Sequence, residues 1–274
     1  MRRPPLLTLA AFLTMVTFMG CQAGATQDNV RPEKNSDALV ASDTLRDSQP
    51  ERPRERVVKV PSVSELLGNV RPANDSAFSE LPPRVASRSG LYLRTEARDA
   101  FIRMYDAAQV DGLTLTALSA TRPFSHQAAI WNRKWNRPQA MGMAPLERAR
   151  DILRYSSMPG TSRHHWGTDV DIYSLEPSDF DAGDGARVLA WLRTHAGRFG
   201  FVEVYTTEAT RQGYQPEAWH WSYLPLAGPF LDALNESHKR GDFPKLDGFE
   251  GSFIADSLRI LEDYINGINP ALSE

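Results

Sequence analysis

The chain has 274 residues, of which 31 are Lys or Arg and 34 are Asp or Glu, so its formal net charge is −3. This balance argues against nucleic acid as the main partner, because proteins that bind nucleic acid usually present a basic face. A single cysteine excludes an intrachain disulfide, so the fold must rely on its core and on any metal that it binds. The length allows one domain with a sizeable core.

Residues 1–20 have the pattern of a targeting segment. Arginines follow the first methionine, an apolar run extends from Leu6 to Met19, and Gly20-Cys21 ends it. The run is too short to make a comfortable transmembrane helix. These residues are therefore predicted to be a signal peptide.

The lone cysteine after a small residue resembles a bacterial lipobox. The resemblance implies cleavage before Cys21 and lipid attachment to its thiol and amine. Gln22, rather than aspartate, follows the cysteine, which by resemblance to lipoproteins of Gram-negative bacteria favours the outer membrane, facing the periplasm. An ordinary secreted protein and an uncleaved anchor are the alternatives.

Residues 21–61 have the composition of a disordered tether. They are rich in Asp, Arg, Glu, Ser and Pro and have few aromatics. Such a chain of about forty residues spans roughly 35 Å between its ends. The segment would hold a folded domain away from the membrane.

Apolar spacing predicts a domain over residues 62–245 in which helices precede a cluster of strands, an α+β order. Helices are predicted over 97–108, 123–135, 145–155 and 183–198, and strands over 113–118, 168–173, 201–205 and 219–223. Residues 246–274 carry apolar side chains at helical spacing from Gly251 to Ile268 and are predicted to form a packing helix. An interaction helix is the alternative for this last segment.

The segment from Ser162 to Asp171 combines two histidines with two aspartates. His164 and Asp171 are seven residues apart, so one continuous strand would place them on opposite faces. Gly167 permits the turn that brings them to one side. The segment is therefore predicted to be a loop, a turn and a strand that carries the aspartate.

Further along the chain, Glu217 lies three residues before His220. His164, Asp171 and His220 can supply three ligands to one zinc ion, which leaves a position open for water. Glu217 is placed to accept a proton from that water without ligating the metal. The pattern predicts the active site of a zinc hydrolase. His165 is expected to support the site or to lie at the surface.

These two segments resemble the zinc D-alanyl-D-alanine carboxypeptidases of the VanY type, in peptidase family M15. The shared pattern is Ser-x-His-x6-Asp followed by Glu-x-x-His. The resemblance extends from about Gly90 to Leu226 in the family's order. It includes Leu118 to Gln127 and the Pro-Gly-Thr-Ser run that ends at Ser162.

The resemblance implies a small antiparallel sheet that carries the zinc site, with helices packed against it, and a role for each matching residue. The implied zinc ligands are His164, Asp171 and His220. The implied cleft residues are Gln127 and Ser162. Trp219 is a further candidate for contact with substrate, with packing in the core as the alternative. Glu217 would be the catalytic base. Arg122 would steady either the developing oxyanion or a substrate carboxylate, for which arginine offers a fixed fork of donors.

Two departures from the family pattern bear on the site. Asp169 stands where the family commonly has alanine, so two carboxylates share one strand face, and one pKa should rise unless a cation or donor intervenes. Asp169 is predicted to hydrogen-bond a ligand histidine or Arg163; a second metal at Asp169 is the less favoured alternative. Val204 replaces a common arginine, which leaves the peptide specificity open.

The sequence thus predicts a zinc peptidase that acts on peptidoglycan stem peptides and removes their terminal D-alanine. Alternatives are a peptidoglycan endopeptidase, an L,D-carboxypeptidase and a wall-binding lipoprotein that does not cleave. One zinc ion per chain is the expected cofactor. Stem peptides, and the membrane through a lipid on Cys21, are the expected partners.

Overall fold

A computed structural model describes residues 58–208 and 210–272 of the chain. The predicted signal peptide, Cys21 and nearly all of the predicted tether lie outside the described residues. The helices are α1 (Val63–Leu66), α2 (Thr95–Val110), α3 (Phe124–Trp135), α4 (Pro145–Ile152), α5 (Gly183–His195) and α6 (Leu224–Lys239). The strands are β1 (Phe78–Glu80), β2 (Tyr92–Arg94), β3 (Ala117–Ser119), β4 (Asp169–Ile172), β5 (Phe201–Glu203) and β6 (His220–Tyr223).

The strands form two antiparallel sheets. β1 pairs with β2, and the larger sheet has the order β3-β4-β6-β5. Within it, β4 and β6 are central, and Asp171 lies directly opposite His220. The predicted α+β class, with a small antiparallel sheet and helices packed against it, is confirmed.

Helix α2 shows why the helices pack as they do. Its buried side chains recur every three or four residues and form one apolar stripe. Phe101, on this stripe, packs edge-on against Phe201 of β5 with the ring centroids 6.1 Å apart. Each such buried side chain stabilises the fold by about 1.5–3 kcal/mol. The sheet that carries the candidate ligands is therefore backed by a rigid helix.

The strand predicted over 113–118 is displaced to Ala117–Ser119. Leu113 and Leu115 are buried. However, β4 ends at Ile172, and Tyr173 has a φ of 73°, which turns the chain away. The residues before Ala117 therefore have no continuous partner strand.

The single helix predicted over the tail is wrong. Ser252–Ser257 forms a 3-10 helix and Ile260–Ile265 a π-helix, with extended backbone at Leu258 between them. Apolar side chains at intervals of three to five residues suit these helices as well as an α-helix, so the spacing did not separate them. The tail is nevertheless packed in the core through buried side chains, which include Leu246, Phe249, Ile260, Leu261, Ile265 and Ile268.

No helix in the described ranges combines the length and the apolar character that a bilayer crossing requires.

Candidate active site

A tight turn brings His164 back towards the sheet. Arg163–Trp166 forms one 3-10 turn that ends at Gly167, whose φ is 75°. A Cβ at this position would lie 2.5 Å from Cε1 of Phe78, so the turn needs glycine for both its backbone and its space. β4 then begins at Asp169. The turn predicted at Gly167 is present.

His164, Asp171 and His220 converge at the centre of the sheet. One ligand atom from each lies within 4.8 Å of the others. His164 Nε2 is 3.2 Å from Asp171 Oδ1, and His220 Nδ1 is 3.5 Å from the same oxygen. All three side chains are buried. Two imidazoles and one carboxylate are a ligand set that zinc favours.

Both imidazole rings are held by their outer nitrogens. His164 Nδ1 donates to the carbonyl oxygen of Ala120 at 2.8 Å. His220 Nε2 donates to Asp169 Oδ1 at 2.9 Å. Each ring therefore directs its other nitrogen towards Asp171. Such outer contacts fix the ring orientation and the tautomer that a metal requires.

Asp169 lies beneath the three ligands and is fully buried. Besides the bond from His220, it accepts from Arg163 Nε at 3.1 Å and from Ser222 Oγ at 3.0 Å. Burial alone would raise the pKa of Asp169, but the Arg163 guanidinium and the His220 hydrogen bond hold it below its usual value. Both contacts that the sequence predicted for Asp169 are thus present together.

The pKa of Asp171 is also lowered, to about 2, although burial opposes this; the charge and hydrogen bond of His164 are the main causes. The cations and donors therefore prevent the upward shift that two adjacent carboxylates would otherwise produce.

Glu217 lies at the edge of this cluster, where β6 begins. Its Oε2 is 3.4 Å from His220 Nδ1, and its side chain is buried. Two hydrogen bonds hold the segment. The Glu217 backbone N–H donates to the Tyr205 carbonyl at 2.9 Å, and the Trp221 indole Nε1 donates to the Ala218 carbonyl at 3.0 Å. Burial raises the pKa of the Glu217 carboxyl.

The pKa of His220 reflects its acidic neighbours. Burial would lower this pKa, but hydrogen bonds with Asp169 and Glu217 raise it to about 9. For His164, burial and then Arg122 lower the pKa.

Arg122 is held beside the ligands by a buried glutamine. Its Nη1 donates to Gln127 Oε1 at 2.9 Å, and Gln127 Nε2 donates to the Ser157 carbonyl at 2.7 Å. Arg122 Nη2 lies 3.8 Å from Asp171 Oδ2. Gln127 is fully buried, with both ends of its amide in use, and it positions Arg122. Its predicted place along the substrate cleft stays a prediction.

A cleft of about 590 Å³ opens over this cluster. Its lining includes Asp171, Glu217, Arg122 and Trp219. The Trp219 indole packs against Tyr155 and Phe180. A second cavity of about 20 Å³, between His164, His220, Glu217 and Arg122, has room for roughly one water molecule.

Ser162 and His165 are buried below the cleft. Ser162 is 1% exposed and is not among the residues that line either cavity. Its predicted contact with substrate stays a prediction. His165 donates from Nδ1 to the Arg122 carbonyl and accepts from Gly160 N–H at Nε2. Burial lowers the pKa of His165 to about 3. His165 therefore ties two loops together as a neutral ring.

Several residues that line the two cavities were not predicted from the sequence. Lys134 and Tyr155 line the larger cavity, and Tyr205 and Tyr214 line the smaller one. Lys134 lies seven positions after Gln127 on α3, two helical turns along the same face, and this spacing was available as a signal. The tyrosines follow no pattern that separates cleft residues from core residues.

Residues 90–226 match the sequence model of the VanY family, which is described as D-alanyl-D-alanine carboxypeptidase. A D-alanyl-D-alanine carboxypeptidase of Enterococcus faecalis is 30% identical over 124 residues, 45% of each chain. The putative carboxypeptidase YodJ of Bacillus subtilis is 28% identical over 169 residues, 58% of this chain and 56% of that protein. The chain thus spans about half the length of these curated relatives.

Two solved structures are similar over part of the chain. VanYB in complex with D-Alanine-D-Alanine is 27% identical and covers 56% of this chain and 80% of its own, with a TM-score of 0.42. A mutant of the D,D-pentapeptidase VanY in complex with Zn(II) is 25% identical and covers 66% of this chain and 96% of its own, with a TM-score of 0.46.

The matched residues 90–226 make up half of the chain and contain the three candidate ligands, Glu217 and Arg122. The chain therefore belongs to the VanY family of D-alanyl-D-alanine carboxypeptidases.

Proposed function

We propose that this protein is a zinc-dependent peptidase that removes the terminal D-alanine from peptidoglycan stem peptides. The observation that carries the proposal is the convergence of His164, Asp171 and His220 with Glu217 and Arg122 at one end of an open cleft. The family membership and the names of the relatives support the substrate class.

The three candidate ligands fit one zinc ion. Their facing atoms are grouped within 4.8 Å, and the opposite nitrogen of each histidine is held by an acceptor. When bound to three protein ligands, zinc can lower the pKa of a water molecule to about 7 and polarise a carbonyl group. Asp169 belongs to the support of this site, because its oxygens already accept from Arg163, His220 and Ser222.

Glu217 is the proposed proton carrier. Its carboxylate is buried beside the ligands, and burial brings its pKa upward, towards the pH at which the enzyme would work. It accepts the proton of the attacking water at Oε2 and delivers it to the amine of the departing residue. Its Oε2 lies 3.4 Å from His220 Nδ1, the proposed ligand atom, so the carboxylate is beside the position of the metal and its water.

Arg122 stabilises the negative charge that develops on the scissile carbonyl oxygen. Gln127 fixes one end of the guanidinium, and the buried Nε has no hydrogen-bond partner in the described part of the protein. Leaving a buried N–H group without an acceptor costs free energy. A substrate oxygen that accepts a hydrogen bond from Arg122 Nε would therefore bind more favourably.

Mass spectrometry of purified muropeptides, incubated with the protein and zinc, tests this proposal. Loss of one alanine from pentapeptides, absent with a chelator and with Glu217→Ala, is the expected result. Conversion of cross-linked dimers to monomers would make the protein an endopeptidase. Zinc binding without either product would favour a wall-binding role and overturn the proposal.

We also propose that the chain is exported and lipid-anchored through Cys21, on the periplasmic side of the outer membrane. The basic start, the apolar run and the glycine before the cysteine support this. The intact mass of the membrane-extracted protein should equal that of residues 21–274 plus the lipid, and the Cys21→Ala variant should carry no lipid. Equal processing and equal solubility of the two proteins would contradict the anchor.

A further inference from the structure

One wall of the cleft is basic, and the proposed hydrolysis does not use all of its charges. Helix α3 contributes Arg133 and Lys134 to the lining, and Arg122 lies just before the same helix. No described carboxylate lies within ion-pair distance of Arg133 or Lys134. Arg122, in contrast, is already placed beside Asp171. Two cations in the cleft are thus without a carboxylate partner in the described part of the chain.

Lys134 is held in place in this wall by its surroundings. Its ammonium group is partly buried and bonds to the hydroxyl of Ser156, which is itself only 7% exposed. Burial lowers the pKa of Lys134, and the nearby Arg122, Arg137 and Arg133 lower it further, while Glu217 opposes them. An ammonium in such surroundings gains more from an anionic ligand than a lysine in open water does.

The positive region extends beyond Lys134. The charges of Arg122, Arg88 and Arg133 all add to burial in lowering the pKa of His126, on the first turn of α3. Leu175, Glu176 and Pro177 also line the cleft, and of these only Glu176 is charged. A peptide with carboxylates along one side would therefore bind with that side against α3.

We propose that Lys134 is a specificity-determining residue that binds a second carboxylate of the substrate, borne by an internal residue of the peptide. This inference rests on the proposed function. Arg122, beside the metal ligands, serves the group at the cleaved bond. Lys134 serves a carboxylate elsewhere on the same peptide, which makes an acidic stem the preferred substrate class.

The test compares two synthetic peptides that end in the same D-alanyl-D-alanine and differ only in whether the internal carboxylate is free or amidated. For the free acid, Lys134→Met should lower kcat/KM roughly tenfold, mainly through KM, because a charge-assisted contact is lost. The amidated peptide should be cleaved equally by both proteins. Lys134→Arg should recover part of the loss. Lys239→Met, which removes an exposed charge on α6, is the matched control.

An equal loss on both peptides, or a displaced pH profile with no preference for the acid, would mean that Lys134 only adjusts Glu217, and would overturn the inference. Failure of the proposed function is distinguished by calorimetry, which measures how tightly each peptide binds to the Glu217→Gln variant and to the Glu217→Gln, Lys134→Met double variant. If neither peptide is cleaved by the wild type but the acid still binds about tenfold more tightly through Lys134, the catalytic proposal fails and the inference stands.

Discussion

At the scale of single residues, the site depends on a buried carboxylate that does not ligate the metal. Asp169 is fully buried and accepts hydrogen bonds from Arg163, His220 and Ser222. Its charge holds the His220 ring and neutralises a guanidinium that is 2% exposed. The residue that departs from the family pattern thus takes part in orienting a proposed ligand.

Replacing Asp169 tests this role. We expect Asp169→Asn to weaken zinc binding by about 10–100-fold, because the His220 ring loses its charged acceptor. It should also lower the free energy of unfolding by about 3 kcal/mol, because Arg163 becomes a buried charge without a partner. A competition titration with a chromophoric chelator and a denaturant titration measure the two effects.

Glu203→Gln is the control for this substitution. Glu203 is also buried, on β5, and pairs with Arg193 through two hydrogen bonds away from the ligands. Its loss should leave zinc affinity unchanged. If Asp169→Asn and Glu203→Gln affect zinc equally, Asp169 has no special relation to the metal site.

The burial of His165 predicts how the free energy of unfolding depends on pH. The folded protein keeps this ring neutral down to a pKa of about 3, whereas the unfolded chain protonates it near 6.5. Between these values the unfolded state binds the extra proton, so this contribution to stability is present above pH 6.5 and is lost as the pH falls towards 3.

The slope of the unfolding free energy against pH between 4 and 6 should therefore be smaller in His165→Gln than in the wild type. The difference should be about 1.4 kcal/mol per pH unit, the value for one proton. Denaturant titrations at several pH values measure it. Parallel slopes for the two proteins would show that His165 titrates normally in the fold.

At the scale of elements, a turn and a strand register assemble the ligands. Gly167 returns the chain from His164 to β4, and antiparallel pairing then places Asp171 opposite His220. Asp171 and His220 are distant in sequence, but the pairing of β4 with β6 brings them together. The turn at Gly167 and this pairing are both required for the three side chains to meet.

Gly167→Ala tests the turn. We expect it to lower the free energy of unfolding by about 1–3 kcal/mol from backbone strain alone. The clash with Phe78 should add to this and weaken zinc binding. Gly112→Ala is the matched control, because its φ is also positive, at 72°, but its Cβ would meet nothing within 4 Å. Thermal unfolding and chelator competition compare the variants. Equal effects of the two substitutions would contradict this account of the turn.

The local sequence pattern predicted the turn at Gly167 but not the residues that line the cleft. The spacing of His164 and Asp171 required a turn, and only Gly167 permitted it, so the turn followed from the sequence. The cleft did not, because Lys134 and Tyr214 reach it through the packing of distant elements. The burial of Gln127 and its hydrogen bond to Arg122 could not be predicted either, since the sequence cannot tell a buried amide from an exposed one.

At the scale of the whole molecule, the tail is part of the fold rather than an appendage. Arg211, in the loop between β5 and β6, donates to the Gly267 carbonyl, and Asn269 N–H donates to the Val204 carbonyl. This places the tail against the loop that leads to Glu217. The helical type of the tail could not be predicted, because it follows the shape of the surface beneath it.

Ile265→Ala tests the contribution of the tail. The side chain is 1% exposed, so the substitution should lower the free energy of unfolding by about 2–4 kcal/mol through lost burial and a cavity. Phe253→Ala, in the same tail but 66% exposed, should change stability by less than about 0.5 kcal/mol. Two equally small effects in denaturant titrations would mean that the tail is not part of the core.

The central claim is that the buried cluster is a zinc peptidase site in which Glu217 moves the proton. The most direct measurement is zinc content and turnover of Glu217→Gln beside the wild type, on a stem pentapeptide. We predict one zinc ion per chain in both proteins and a loss of turnover of roughly a thousandfold in the variant. Turnover close to that of the wild type in a zinc-loaded variant would contradict the claim.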